Sequence, residues 1–191
     1  MRIGIFGGAF DPIHNGHLAL AHASMEELKL DQIFFVPSSQ PPLKTLERES
    51  ASAELRFQMV KESIKGISKF EISDVELKRK GVSYTIDTIR EFRKQFPQPL
   101  ELFVIVGSDW GNRLHEWKAI DEIFSLSQFV VAARPGFQKM KLPKPIQFLY
   151  FEPIDISATK LRQMIRDQKS VSAWIPKPAL DLIKKHGLYR N

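Results

Sequence analysis

Apolar positions along the chain follow two rhythms. Short, β-branched or aromatic runs recur at residues 2–7 (RIGIFG), 31–37 (DQIFFVP), 100–109 (LELFVIVGSD), 128–136 (QFVVAARPG) and 146–152 (IQFLYFE). Such runs predict buried strands. Between them lie stretches with apolar residues three or four apart: 16–30 (GHLALAHASMEELKL), 53–65 and 83–96 (SYTIDTIREFRKQF, stopped by Pro97). These predict helices, as do 157–168 (SATKLRQMIRDQ) and 177–187 (KPALDLIKKHG) near the end. Residues 70–77 (FEISDVEL) read as a weaker extended segment, and 136–145 (GFQKMKLPKP) as an exposed connection.

Alternating strands and helices at this spacing predict an α/β, doubly wound domain with a largely parallel sheet and helices on both faces. With 191 residues, 43% of them hydrophobic, the chain suits one domain over 1–191, with C-terminal helices at about 157–187. No run approaches the ~20 apolar residues of a membrane helix. The first strand starts without a charged leader or cleavage site, so a cytoplasmic protein is expected. There is no cysteine, which excludes disulfides, thiolate catalysis and cysteine metal sites.

Charge changes the picture only slightly. The net charge of +6 favours anionic partners, but the basic residues are scattered. Without an interleaved basic and aromatic face, polyphosphate substrates are favoured over a nucleic-acid track.

Candidate chemistry lies just after predicted strands, where α/β sheets bind ligands. The three segments are GGAFDPIHNGH (7–17), PSSQPPLK (37–44) and GSDWGNRLHEW (107–117). Gly7 and Gly8 let an anion approach backbone N–H groups, and Gly16 lies where the next helix opens with its positive end. His14 and His17 flank that opening and can donate to phosphate. Two glycines alone can also mean a tight turn, and a histidine can simply be packed. A zinc pair fits poorly, because His22 lies on a different face from His17 and further ligands are missing. Asp11 reads as a residue that shapes its turn. Ser157 or Thr159 can cap a helix start, and Arg162 offers a planar donor fork. Asp109 can bond ribose hydroxyls or cap a helix. Trp117 can stack on a ring or pack in the core.

The segment GGAFDPIHNGH resembles the signature of the HxGH nucleotidyltransferase superfamily. From end to end the chain is similar to bacterial nicotinate mononucleotide adenylyltransferases. The similarity runs through PPLK (41–44), GVSYTIDT (81–88), VGSDWGNRLHEW (106–117), RPG (134–136), ISATKLR (156–162) and IPKPALDLIKKHGLYR (175–190). Two positions depart from that pattern. Ala9 stands where a hydroxyl residue is common, and Leu43 replaces the histidine of PPH(K/R).

The resemblance implies a Rossmann-like fold and adenylyl transfer from ATP to nicotinate mononucleotide, giving deamido-NAD and pyrophosphate. It implies catalytic roles for His14, His17 and Arg162. ATP would meet Gly7, Gly8, Ala9, Phe10, Gly16, Gly107, Asp109, Ile156, Ser157 and Thr159. The acceptor would meet Lys44, Tyr84, Thr85, Trp117 and Arg134, with backbone amides near Thr85 and Trp117 recognising the nicotinate carboxylate. Mg²⁺ would come with ATP, keeping most of its waters, with no dedicated carboxylate cage. Neither a membrane nor a nucleic acid is expected as a partner, and both monomer and homodimer remain open. Rival acceptors are nicotinamide mononucleotide and phosphopantetheine; a non-catalytic nucleotide or RNA binder is the rival of another class.

Overall fold

The computed structural model describes residues 1–42, 50–107, 114–133, 146–150 and 154–190. Six strands form one sheet: β1 (Arg2–Gly8), β2 (Gln32–Pro37), β3 (Phe70–Ile72), β4 (Glu101–Gly107), β5 (Gln128–Ala133) and β6 (Gln147–Tyr150). Their order is β3-β2-β1-β4-β5-β6, and every neighbouring pair is parallel. The sheet is thus wholly parallel among the described residues, one step beyond the largely parallel sheet expected.

The helices are α1 (Asn15–Glu27), α2 (Ala53–Ile64), α3 (Val75–Arg79), α4 (Thr85–Gln95), α5 (Ile120–Leu126), α6 (Ala158–Arg166) and α7 (Lys177–Lys185). A 3₁₀ turn spans Leu114–Glu116. One expectation is corrected: only the start of 70–77 is extended. After Ile72 the chain turns into α3, which buries Glu76. A helix of five residues is too short to show a 3.6 period against the apolar residues around it. The connection at 136–145 lies outside the described residues.

Both faces of the sheet are covered, and the pleat assigns side chains to them in turn. Along β4, Phe103 and Ile105 join a core with Leu20, Met59, Val60, Leu161 and Ile183. Leu102, Val104 and Val106 join the opposite core with Ile86, Ile89, Phe92 and Ile123. Helices α1, α2, α6 and α7 therefore cover one face and α4 and α5 the other. Strand order reverses between β1 and β4, so the chain leaves these two strands in opposite lateral directions. A crevice opens beyond their carboxyl ends. Gly7, Gly8 and Gly107 end the strands that flank it.

Candidate active site

The crevice is a cavity of about 670 Å³. Its walls include Gly7, Gly8, Ala9, Phe10, His14, Gly16 and His17 from the first connection and Gly107 from β4. Ile156, Ser157, Thr159 and Arg162 enter from the start of α6, while Tyr84, Thr85 and Trp117 line the other side. Every candidate residue named from the sequence that is described thus meets in one place. Lys44, Asp109 and Arg134 lie outside the described residues.

The first connection is built for close approach. A Cβ on Gly7 would meet nothing within 4 Å, so this backbone borders open space. Phe10 takes a left-handed φ of 49°, rare for a bulky residue, and its ring is buried against Phe6, Phe35 and His17. Its side chain is therefore core, although its backbone follows the cavity wall. His14 is the N-cap of α1. Its backbone N–H donates to His17 Nδ1 at 3.2 Å. In neutral His17 the proton must then sit on Nε2, the nitrogen left to act as a donor. His22 instead packs on Phe70, 4.7 Å between ring centroids.

At the other end of the domain Ser157 caps α6, accepting from Lys160 N at 3.2 Å. Thr159 is not the cap; Arg162 Nη2 donates to its hydroxyl at 3.5 Å. Arg162 is only 3% exposed, so it is no surface arginine. Its Nη1 donates to the carbonyl of Asp11 at 2.8 Å. The guanidinium therefore joins α6 to the turn after β1 while facing the cavity.

At the start of α4 the N-cap is Tyr84, not Thr85. The first helical bonds come from Asp87 and Thr88 N–H to Tyr84 O, so the amides of Thr85 and Ile86 precede the helical ladder. The Trp117 amide, by contrast, donates to Leu114 O at 3.1 Å within the 3₁₀ turn. Its indole packs edge-on against Phe129, 5.3 Å away, and also borders the cavity.

Several site residues were not singled out from the sequence. Glu76 is buried in the cavity wall, accepts from the Thr88 hydroxyl at 2.6 Å and has its pKa raised by burial. Lys118 lies 4.2 Å over the Tyr84 ring and also lines the cavity. Ser83 Oγ accepts from Ser39 N at 2.9 Å, and Ser83 N donates to Gln40 O at 2.8 Å, tying the start of α4 to the connection after β2. Arg56 sits three and four residues before Met59 and Val60 on the buried face of α2. That spacing was the one signal that could have marked it.

A phosphate-sized anion placed here would meet the β1 turn, the start of α1 with its histidines and the guanidinium of Arg162. Gly107 and the start of α4 line the same cavity. Fold and site together define a Rossmann-like α/β protein with a cavity at its topological switch point. A family described as cytidylyltransferase-like matches residues 5–164. A probable nicotinate-nucleotide adenylyltransferase of Clostridium tetani is 43% identical over 197 residues, covering 97% of this chain and 98% of that one. One from Thermus thermophilus is 41% identical and covers all of both chains. Among solved structures, the Plasmodium falciparum nicotinic acid mononucleotide adenylyltransferase complexed with NaAD matches with a TM-score of 0.79. It is 20% identical, covering 98% and 97% of the two chains, and carries the likeness in fold alone. The chain belongs to the cytidylyltransferase-like family, in the branch of the nicotinate-nucleotide adenylyltransferases.

Proposed function

We propose that the protein transfers the adenylyl group of Mg-ATP to nicotinate mononucleotide, forming deamido-NAD and pyrophosphate. One observation carries this reading beyond family membership. Residues as distant in sequence as Gly7, Thr85, Trp117 and Arg162 line a single cavity, together with the starts of α1, α4 and α6.

The acceptor's phosphate oxygen forms a new bond to the α-phosphorus of ATP, while the bond to the bridging oxygen breaks and pyrophosphate leaves with that electron pair. The nucleophile is already an anion at neutral pH, so the chain needs to position and neutralise rather than remove a proton. In this reading Gly7 and Gly8 admit the triphosphate to the backbone. His14, His17 Nε2 and Arg162 take the charge that moves onto the leaving group. Mg²⁺ enters as part of the Mg-ATP substrate. Its coordination would come chiefly from phosphate oxygens and water.

At the other end, the amides of Thr85 and Ile86 with the positive end of α4 suit a carboxylate. A carboxamide would turn its NH₂ group towards those donors, a mismatch costing ~1–3 kcal/mol per group. The test is pyrophosphate release from Mg-ATP with nicotinate mononucleotide, its amide or phosphopantetheine offered separately. Nicotinate mononucleotide should have a kcat/KM about a hundredfold above that of the amide. Comparable values for the two would replace the assignment with a dual-specific enzyme.

A further inference from the structure

The turn after β1 is held from behind by a buried polar cluster. Asp11 Oδ1 accepts from Ala51 N at 3.0 Å and from the hydroxyl of Tyr189 at 2.6 Å. Arg162 bonds the Asp11 carbonyl and lies 3.9 Å from Asp11 Oδ2. Arg56 has no exposed surface, and it spends its guanidinium on three backbone carbonyls. Nε donates to Ala51 O at 3.1 Å, Nη1 to Ala9 O at 2.6 Å and Nη2 to Ser39 O at 3.2 Å. One connected cluster therefore fixes the β1 turn, the connection after β2, the start of α2 and the end of the chain.

Burying two guanidiniums is costly unless their charge and donors are answered. Here the Asp11 carboxylate and four carbonyls answer them. Tyr189 stays a donor throughout the working pH range: burial first, and then the Asp11 carboxylate, push its phenol well above the ordinary tyrosine value. Phe10 and Tyr189, on either side of Asp11, both have left-handed backbones, with φ of 49° and 62°. Bulky residues keep such angles only where their surroundings over-determine them. Asp11 and Arg162 line the cavity, whereas Arg56 and Tyr189 are not among its lining residues. The chain end also grips α1: Asn15 N donates to Trp174 O at 2.8 Å and Asn15 Nδ2 to Ala173 O at 3.0 Å.

We propose that Tyr189 and Arg56 are positioning residues for the triphosphate half of the site, acting through Asp11 and the Ala9 and Ser39 carbonyls to hold the β1 turn and Arg162 in place. The C-terminal segment is then a working part of the nucleotide site rather than packing alone. This role rests on the adenylyl-transfer reading for what it positions, but the cluster can be tested without that chemistry.

Tyr189→Phe removes one hydroxyl and nothing else. Its Kd for Mg-ATP, measured by calorimetry, and its kcat/KM for Mg-ATP should worsen about three- to tenfold, the worth of one hydrogen bond. The KM for the acceptor should stay within twofold. Arg56→Lys keeps the charge but cannot span three carbonyls, so it should show the same split more strongly. A lowered Tm in either variant with unchanged Mg-ATP binding would overturn the inference, as would a parallel rise in both KM values. If Tyr189→Phe fails to fold, Arg56→Lys decides on the same readouts. A wild-type protein that binds Mg-ATP but does not turn over nicotinate mononucleotide would refute the proposed reaction, and the calorimetric Kd values would still decide on Tyr189 and Arg56.

Discussion

The imidazoles of His14 and His17 stack face to face, with centroids 3.7 Å apart and planes 23° from parallel. The stack and the bond from His14 N to His17 Nδ1 make the two rings one unit at the start of α1. His17→Ala removes both the donor and the surface that holds His14. It should cost ~10²–10³ in kcat, as expected for a lost transition-state donor. Circular dichroism should remain that of the wild type. A folded variant with most of its turnover would show that the pair is structural.

Gly16, at the start of α1, tests the same unit by a different route. A Cβ at this position would come 3.0 Å from His14 Nδ1 and 3.1 Å from Cε1, so the ring has to move. Alanine is otherwise favoured over glycine within a helix by ~1 kcal/mol. Gly16→Ala should therefore hold or raise Tm while lowering kcat about tenfold, because small misplacements of catalytic groups are expensive. Thermal melts and initial rates on one preparation check both signs.

Arg162 is buried and bonded to Asp11 O, so its replacement has two consequences. Arg162→Lys keeps a charge but loses the fork that serves the Asp11 carbonyl and the ligand together. Its kcat/KM for Mg-ATP should fall by ~10² or more, with little recovery over Arg162→Ala. Steady-state kinetics with each substrate varied in turn would show the effect on Mg-ATP. A defect confined to the acceptor's KM would reassign Arg162.

Glu76 links pH to stability. Burial raises its pKa, opposed by the hydrogen bonds from Thr88 and Ser83 and by the charge of Arg79. The native state therefore holds this proton more tightly than the unfolded chain does. Its contribution falls as pH rises from the ordinary glutamate value, ~4.3, through the raised native value, and is level above that. Glu76→Gln keeps an acceptor for Thr88 and abolishes the titration. Its stability relative to wild type should rise from pH 4 to pH 7. Urea unfolding at several pH values measures this. A difference that does not vary with pH would mean that the carboxylate is fully compensated.

Much of this molecule could be read along the chain. The apolar runs of β1, β2 and β4 mark a sheet buried on both faces, because only such strands lack alternation. Taken alone, the glycines and histidines after β1 and the helix start before Arg162 also fit a tight turn and an ordinary cap; the family resemblance of their segments singled them out. Topology then brings the strand ends together, and the ends of β1 and β4 had to flank the crevice once the order was doubly wound. Helix α3 was hidden because one and a half turns leave no period to detect. Only the tertiary structure decided what lies behind the cavity wall. Arg56 looks like one more cation on an amphipathic helix, and Tyr189 like the tail of a last helix. What makes them part of the site is the direction of three inward carbonyls and one carboxylate, the carboxylate contributed by Asp11, 178 positions from Tyr189 along the chain. Burial is affordable for those charged and polar groups only because distant backbone groups converge on them, and local sequence holds no record of that convergence.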